Sequence, residues 1–281
     1  MTGILYLCAT PIGNLEDITY RAVRILKEVD LIAAEDTRHT KKLLNYLEIN
    51  TPLTSYHEHN KKVKGPVLIK KLQDGLNIAL VTDAGTPGIS DPGEDLVKLA
   101  HKNNIKVTPI PGAVAAISGL IVSGISTDRF VFEGFLPTDT KKKKERLEKL
   151  SKEERTIILY EAPHRIFKTL EALYKTLGNR KISIIREITK QYEEIKLFTL
   201  EESIKYYEKN SPKGEFVLVI EGISDEEINK INEKKWEHIK IDEHFKLYLE
   251  KGMNKKDAMK QVAKDRGITK REVYKIIHEI K

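Results

Sequence analysis

Cysteine is almost missing from this sequence. Cys8 is the single one among 281 residues, so neither an internal disulfide nor a thiolate metal cluster can form. Cys8 itself reads as a buried strand residue. Long apolar runs are missing too: none approaches the roughly 18–20 residues that cross a bilayer. The apolar start, GILYLC from Gly3 to Cys8, has no basic segment before it. It reads as a first strand and not as a signal peptide, and the expected location is cytoplasmic. The phosphate-cradling pattern G-x-x-x-x-G-K-[ST] is absent, as is G-x-G-x-x-G after the first strand, where ATPIG (Ala9 to Gly13) has one glycine. These absences exclude a P-loop and the usual dinucleotide fingerprint.

Charge is unevenly spread. The formal net charge is +7, yet Lys251 to Lys281 holds ten Lys/Arg against four Asp/Glu. The body is nearly balanced and the tail is basic, which suggests a polyanionic partner such as nucleic acid; a solvated lysine-rich helical face is the plainer reading.

Strand-like apolar runs and amphipathic stretches alternate for about 220 residues, predicting an α/β fold with mostly parallel strands covered by helices. GILYLCAT, DLIAAED, NIALVTD and KVTPIP read as strands; TYRAVRILKEV, VLIKKLQDG, GEDLVKLAHKNN and GAVAAISGLIVSG read as helices. A second set follows: FVFEGFLP, a lysine-rich helix, TIILYEA, HRIFKTLEALYKTLG, KISIIREIT, and GEFVLVIEG. Thr199 and Glu202 have the spacing of a capping box. The expected division is two α/β domains, 1–122 and 123–222, joined around Ser123–Thr127, followed by a basic helical extension over 223–281. In that extension one helix starts at the capping residue Asn254 and stops at Gly267, and Thr269 to Glu272 opens another. Two short helices around a glycine turn resemble a helix-turn-helix, and equally an ordinary helical hairpin.

Four strand ends run straight into residues that expose backbone: CATPIGNLEDIT, VTDAGTPGISDPG, PIPGAVAA and LYEAPHR. Glycine lets a ligand approach the backbone, and proline removes a donor and leaves carbonyls facing outward. Ligands of open α/β sheets lie beyond the carboxyl ends of the strands, so these loops predict a cleft at the domain junction. The loops lack the lysines and arginines that a polyphosphate calls for. A ligand with a positive charge and hydrogen-bonding groups fits better, with Asp83 nearby, and S-adenosylmethionine has that description; a structural role for tight turns is the alternative.

The segments ATPIGNLEDIT, AAEDTRHT, SYHEHN, TDAGTPGISDPG, PGAVAA, EGFLP, LYEAPHRI and REITKQYEE occur in this order. Together they resemble the bacterial ribosomal RNA small subunit methyltransferase I family, within the tetrapyrrole methylase superfamily. The resemblance covers essentially the whole chain. It implies two α/β domains of the tetrapyrrole methylase type with S-adenosylmethionine folded between them. The implied activity is methylation of the ribose 2′-oxygen of cytidine 1402 in 16S rRNA of the small ribosomal subunit, by a homodimer. For the cofactor it implies Pro11, Asp83, Gly85, Thr86, Pro87, Gly88, Ile89, Ala115, Ala116, Glu161, Ala162 and Ile188. This chain departs from the superfamily in its first loop, which is less glycine-rich, and in alanines where relatives carry PGxSS serines. A tetrapyrrole methyltransferase and a non-catalytic RNA-binding relative are the rival readings.

Methyl transfer to a ribose hydroxyl is an in-line displacement that profits from a general base. Asp36 and His59 are the first candidates, with Glu35 beside them. An intra-loop ion pair with Arg38 is the plain alternative for Asp36. For RNA the candidates are Arg38, His57, Lys143, Arg146, Arg165, Lys270 and Arg271, with Tyr56, Tyr160 and Phe135 as stacking surfaces. His57-Glu58-His59 has no obvious third ligand, and no metal is expected.

Overall fold

A computed structural model describes residues 2–224, 226–228, 236 and 238–279. These divide into two compact units, the first of which holds residues 1–150 and 155–221.

The first unit contains two five-stranded sheets. In sheet one, β1 (Ile4–Cys8), β2 (Leu31–Ala34), β3 (Leu53–Ser55), β4 (Ile78–Val81) and β5 (Lys106–Ile110) lie in the order β3-β2-β4-β1-β5, all parallel. Their side chains are buried on both faces because helices cover both. Helices α1 (Tyr20–Glu28) and α2 (Thr37–Tyr46) pack Ile25, Leu26 and Leu44 over Cys8, Ala34 and Val81. On the other face α3 (Lys61–Gln73) and α4 (Gly93–Lys102) pack Leu68, Leu72 and Leu96 over Leu5, Ala33 and Leu80. Helix α3 begins before the expected VLIKKLQDG stretch and carries Pro66 within it. Helix α2 is started by Asp36, whose carboxylate accepts the Arg38 N–H.

Sheet two runs β6-β7-β10-β8-β9, with β6 (Phe130–Phe135), β7 (Thr156–Glu161), β8 (Lys181–Arg186), β9 (Glu194–Thr199) and β10 (Phe216–Ile220). Only β6 and β7 pair in parallel; the other neighbours are antiparallel. Strand β9 lies between the expected KISIIREIT and GEFVLVIEG strands and was not evident in the sequence. It is an edge strand with Ile195 and Leu197 exposed, so its alternation carries no buried stripe. One face of this sheet carries α6 (Thr140–Leu150), α7 (Ile166–Leu177) and α8 (Leu200–Lys209), the last opened by the Thr199–Glu202 capping box.

Helix α5 (Ala115–Val122) covers the other face of sheet two. Ala116 and Leu120 pack with Ile158, Ile185, Val217 and Val219, and Gly119 lets the helix approach: a Cβ there would sit 2.9 Å from Val217 Cγ1. The sequence places this helix with the first domain, ending it at 122. Its packing attaches it to the second sheet, so the chain passes between the lobes at the PGAV stretch, one helix earlier than expected.

The second unit comprises Ser151–Glu154 and 222 onward. Its described helices, α9 (Ile241–Glu250), α10 (Lys255–Asp265) and α11 (Lys270–Glu279), enclose Phe245, Ala258, Val262, Ala263 and Val273. Gly252 and Gly267 turn the chain at φ 85° and 62°. His244 is fully buried and stacks on Trp236 with ring centroids 3.6 Å apart. Among the described residues the expected pair of short helices thus packs together with α9.

Candidate functional site

Strands β1 and β4 are neighbours in sheet one, and the loops that leave their carboxyl ends are stitched together. Thr10 and Gly85 exchange backbone hydrogen bonds of 2.9 and 3.2 Å, and the Thr10 hydroxyl donates to Thr82 O at 3.2 Å. Gly85 holds φ 84°, a conformation L side chains rarely adopt. Thr86 ties this loop to the next, its hydroxyl donating to Ala113 O at 3.2 Å. Asp91 folds the remainder, accepting the backbone N–H groups of Gly88, Ile89 and Gly93. The VTDAGTPGISDPG stretch is therefore a rigid, doubly anchored loop with its backbone turned toward a cleft.

That cleft is a cavity of about 520 Å³ between the two lobes of the first unit. Its floor comes from Glu35, Thr82, Asp83, Ala84, Gly85 and Thr86, and its far wall from Tyr160, Glu161, Ala162 and Ile188. Six carboxylate residues line it: Glu35, Asp83, Asp91, Glu161, Glu187 and Glu215. Lys190 is the one basic residue among the described lining residues, and it is bridged to Glu187 at 3.0 Å and Glu215 at 2.8 Å. Lys190 also packs its stem on Gly13, where a Cβ would collide with it. The cavity is thus acidic, sized for a nucleoside-like molecule, and rich in exposed backbone. These features fit a cationic donor with hydroxyl and purine groups, and do not fit a polyphosphate.

Of the residues expected at the cofactor, Asp83, Gly85, Thr86, Ile89, Ala115, Glu161, Ala162 and Ile188 line this cavity. Pro11, Pro87, Gly88 and Ala116 do not. Pro11 is buried, with its neighbour Ile12 on the wall. Gly88, at φ 90°, shapes the loop from behind. Ala116 donates its N–H to the Tyr160 hydroxyl at 3.0 Å. Glu161 faces inward: its carboxylate takes the Ala162 N–H, the Thr169 hydroxyl at 2.6 Å and Arg165 at 3.3 Å. Sequence reasoning passed over Thr82, Val114, Glu187, Lys190, Glu215 and Val217, which also line the cavity. Glu187 and Lys190 lie in the quoted REITKQYEE, and the signal was their flank of Ile188.

The candidate bases separate. Asp36 spends its carboxylate on Arg38, at 3.1 Å to Nε and 2.7 Å to Nη2, and on the helix start. That guanidinium and the Arg38 N–H hold its carboxyl well below the usual range. It lies outside the cavity lining. His59 is exposed on a turn, 6.0 Å ring to ring from His57, and neither lines the cavity. Glu35 lines it and accepts the Thr82 hydroxyl at 2.6 Å. Asp83, half-buried, accepts the Asp36 N–H at 3.0 Å, and burial raises its carboxyl above the ordinary value.

The basic candidates divide as well. Arg38 is exposed beside Asp36, and Arg146 is clamped on Glu133. Arg165 points inward to Leu136 O at 2.6 Å, and Lys143 donates to Thr169 Oγ1 at 3.2 Å, both buttressing Glu161. Burial lowers the Lys143 ammonium. Lys270 and Arg271 are exposed at the start of α11. Phe135 is 52% exposed and lines the cavity with Tyr160, whereas Tyr56 is core, its hydroxyl bonded to Pro92 O at 3.3 Å. Among the described residues no three His, Cys, Asp or Glu residues come together to hold a metal ion, and no helix is long and apolar enough to cross a membrane.

Comparison with known proteins places this geometry. Residues 4–203 match the family model of tetrapyrrole (corrin/porphyrin) methylases. A ribosomal RNA small subunit methyltransferase I of Halalkalibacterium halodurans is 52% identical over 277 residues, covering 99% of this chain and 95% of its own. The protein of the same name from Bacillus subtilis is 51% identical, covering 98% and 94%. Among solved structures, diphthine synthase superposes with a TM-score of 0.60 at 15% identity, over 78% of this chain and 90% of that one. Uroporphyrin-III-C-methyltransferase of Thermus thermophilus gives 0.57 at 17% identity, over 78% and 94%. The two solved structures share the fold of this chain. The chain belongs to the ribosomal RNA small subunit methyltransferase I family, within the tetrapyrrole methylases that use S-adenosylmethionine.

Proposed function

We propose that this protein transfers a methyl group from S-adenosylmethionine to the ribose 2′-oxygen of cytidine 1402 in 16S rRNA of the small ribosomal subunit. The observation that carries the donor half is the acidic, backbone-lined cavity beyond β1 and β4. The acceptor half rests on the likeness to relatives named for small-subunit rRNA methylation. When bound, the donor supplies an activated methyl on a sulfonium.

The chain's own residues do the rest. Thr86 and Ala115 offer backbone groups to the donor's polar atoms, Gly85 and Ala162 allow its close approach, and Ile12, Ile89 and Ile188 offer apolar walls to its ring. The carboxylates of the cavity stabilise its positive charge. Phe135, exposed at the rim, is a surface for an unstacked base. Outside the cavity, Lys270, Arg271, Lys275 and Tyr274 stand exposed on α11, a basic face with an aromatic among its cations that suits RNA phosphates and bases. The protein acts as a homodimer in the cytoplasm in this reading.

Mass mapping of 16S rRNA from cells with and without the protein tests it. The reading expects one ribose methyl on cytidine 1402 to vanish with the protein. A lost methyl on a base, or no change in the rRNA, contradicts it.

A further inference from the structure

The proposed reaction needs a group to take a proton from a ribose hydroxyl, and the structure sorts the carboxylates available for it. Asp36 is locked in its pair with Arg38 and lies outside the cavity lining. Glu161 is 2% exposed, and both of its oxygens are engaged in the second lobe. Asp91 takes three backbone N–H groups. Glu187 and Glu215 hold Lys190. Glu35 has its Oε2 taken up by a short hydrogen bond from the Thr82 hydroxyl. Asp83 remains. Its Oδ1 is fixed by the Asp36 N–H at 3.0 Å, and among the described residues its Oδ2 takes no hydrogen bond.

We propose that Asp83 is the general base of the transfer, accepting on Oδ2 the proton of the hydroxyl that attacks the methyl group. This inference rests on the function proposed above. The atoms balance within the site. The O–H bond breaks and its proton passes to Asp83. An oxygen lone pair forms the new O–CH3 bond, and the S–CH3 bond pair stays on sulfur, leaving a neutral thioether. The cation and the carboxylate are discharged together, which in a cavity of low dielectric removes the cost of keeping either charge there.

Placement supports the assignment. Asp83 is the second residue beyond β4, the central strand of sheet one, and its backbone opens the rigid loop that Thr10 and Asp91 anchor. A base on such a loop is held without loss of freedom at each turnover. The groups facing it are Glu35 from the end of β2, and Asp36 and His39 from the start of α2. Burial raises its carboxyl, and the Glu35 carboxylate adds to that, against the lowering effect of the Asp36 N–H and of His39. A base with its proton affinity moved toward neutrality is the better acceptor.

The test compares the wild-type protein with Asp83→Asn, whose amide oxygen still accepts the Asp36 N–H. Three quantities are read: donor affinity by calorimetry, the pH profile of kcat on purified small subunits, and the carboxyl titration of Asp83 by carbon NMR in the donor-free protein. The proposal expects Asn to lower kcat at saturating donor by about 10²–10⁴-fold, well beyond any rise in donor Kd. It also expects the wild-type acid limb to follow the Asp83 titration and to be absent from the residual activity. Near-wild-type turnover in Asp83→Asn overturns it, as does a loss of turnover explained wholly by lost donor affinity. An active wild type with an active variant sinks the base alone; a wild type that transfers no methyl to the subunit sinks the reaction and the base together.

Discussion

Asp36, Glu35 and Asp83 stand at adjacent strand ends, and their surroundings give them different work. Asp36 caps α2 and pairs with Arg38 in solvent. Asp36→Ala should cost about 1 kcal/mol of stability by denaturant unfolding through the lost cap, while methyl transfer falls by less than tenfold. Asp83 shows the opposite balance. Its folded-state value lies above the unfolded one, so the folded protein holds the proton to higher pH. The contribution of Asp83 to stability is therefore most favourable below about pH 4 and declines as pH rises through the folded value. Denaturation midpoints of wild type should fall relative to Asp83→Asn over that window; a constant difference would show that the carboxyl titrates normally. The sequence brought Asp36 forward because AAEDTRHT is rich in polar groups. Which carboxylate faces the cavity depends on the Arg38 rotamer and on the pairing of β2 with β4, and neither has a local signature.

At the scale of elements, the strand–helix alternation was legible because each strand of sheet one is a short apolar run between amphipathic helices. Direction in sheet two was not. Strands β7 and β10 are buried on both faces, so their pattern is the same whether neighbours run parallel or antiparallel. Helix α5 shows a related limit. AAISGLIV is apolar nearly all round, with Ile117, Ile121 and Val122 exposed, so its pattern does not say which sheet it covers. Its contact with β10 through Gly119 gives a direct check. Gly119→Ala should destabilise the protein by about 1–3 kcal/mol, read by chemical denaturation, because the added methyl meets Val217. For α11, joint Lys270→Glu and Arg271→Glu substitution should reduce the salt dependence of binding to small subunits by about two units of log–log slope, with donor affinity untouched. An unchanged slope would remove this helix from the RNA contact.

Across the whole molecule the charge is divided by task. The net charge of +7 comes mostly from the last stretch, while the cavity gathers six carboxylate residues around one lysine. An acidic pocket suits a cationic donor, and a basic surface suits an RNA acceptor. The four strand-end loops were readable as a cleft because glycine and proline betray exposed backbone. The far wall, with Glu187, Lys190 and Glu215, was not, since its residues come together only through the pairing of β8 with β10. The account as a whole stands on the donor lying in this cavity. A crystal structure of the protein grown with S-adenosylmethionine measures that directly. The account predicts donor density against Gly85, Thr86, Ala115 and Ala162, with the methyl directed toward Asp83; density elsewhere, or an empty cavity at saturating donor, would contradict it.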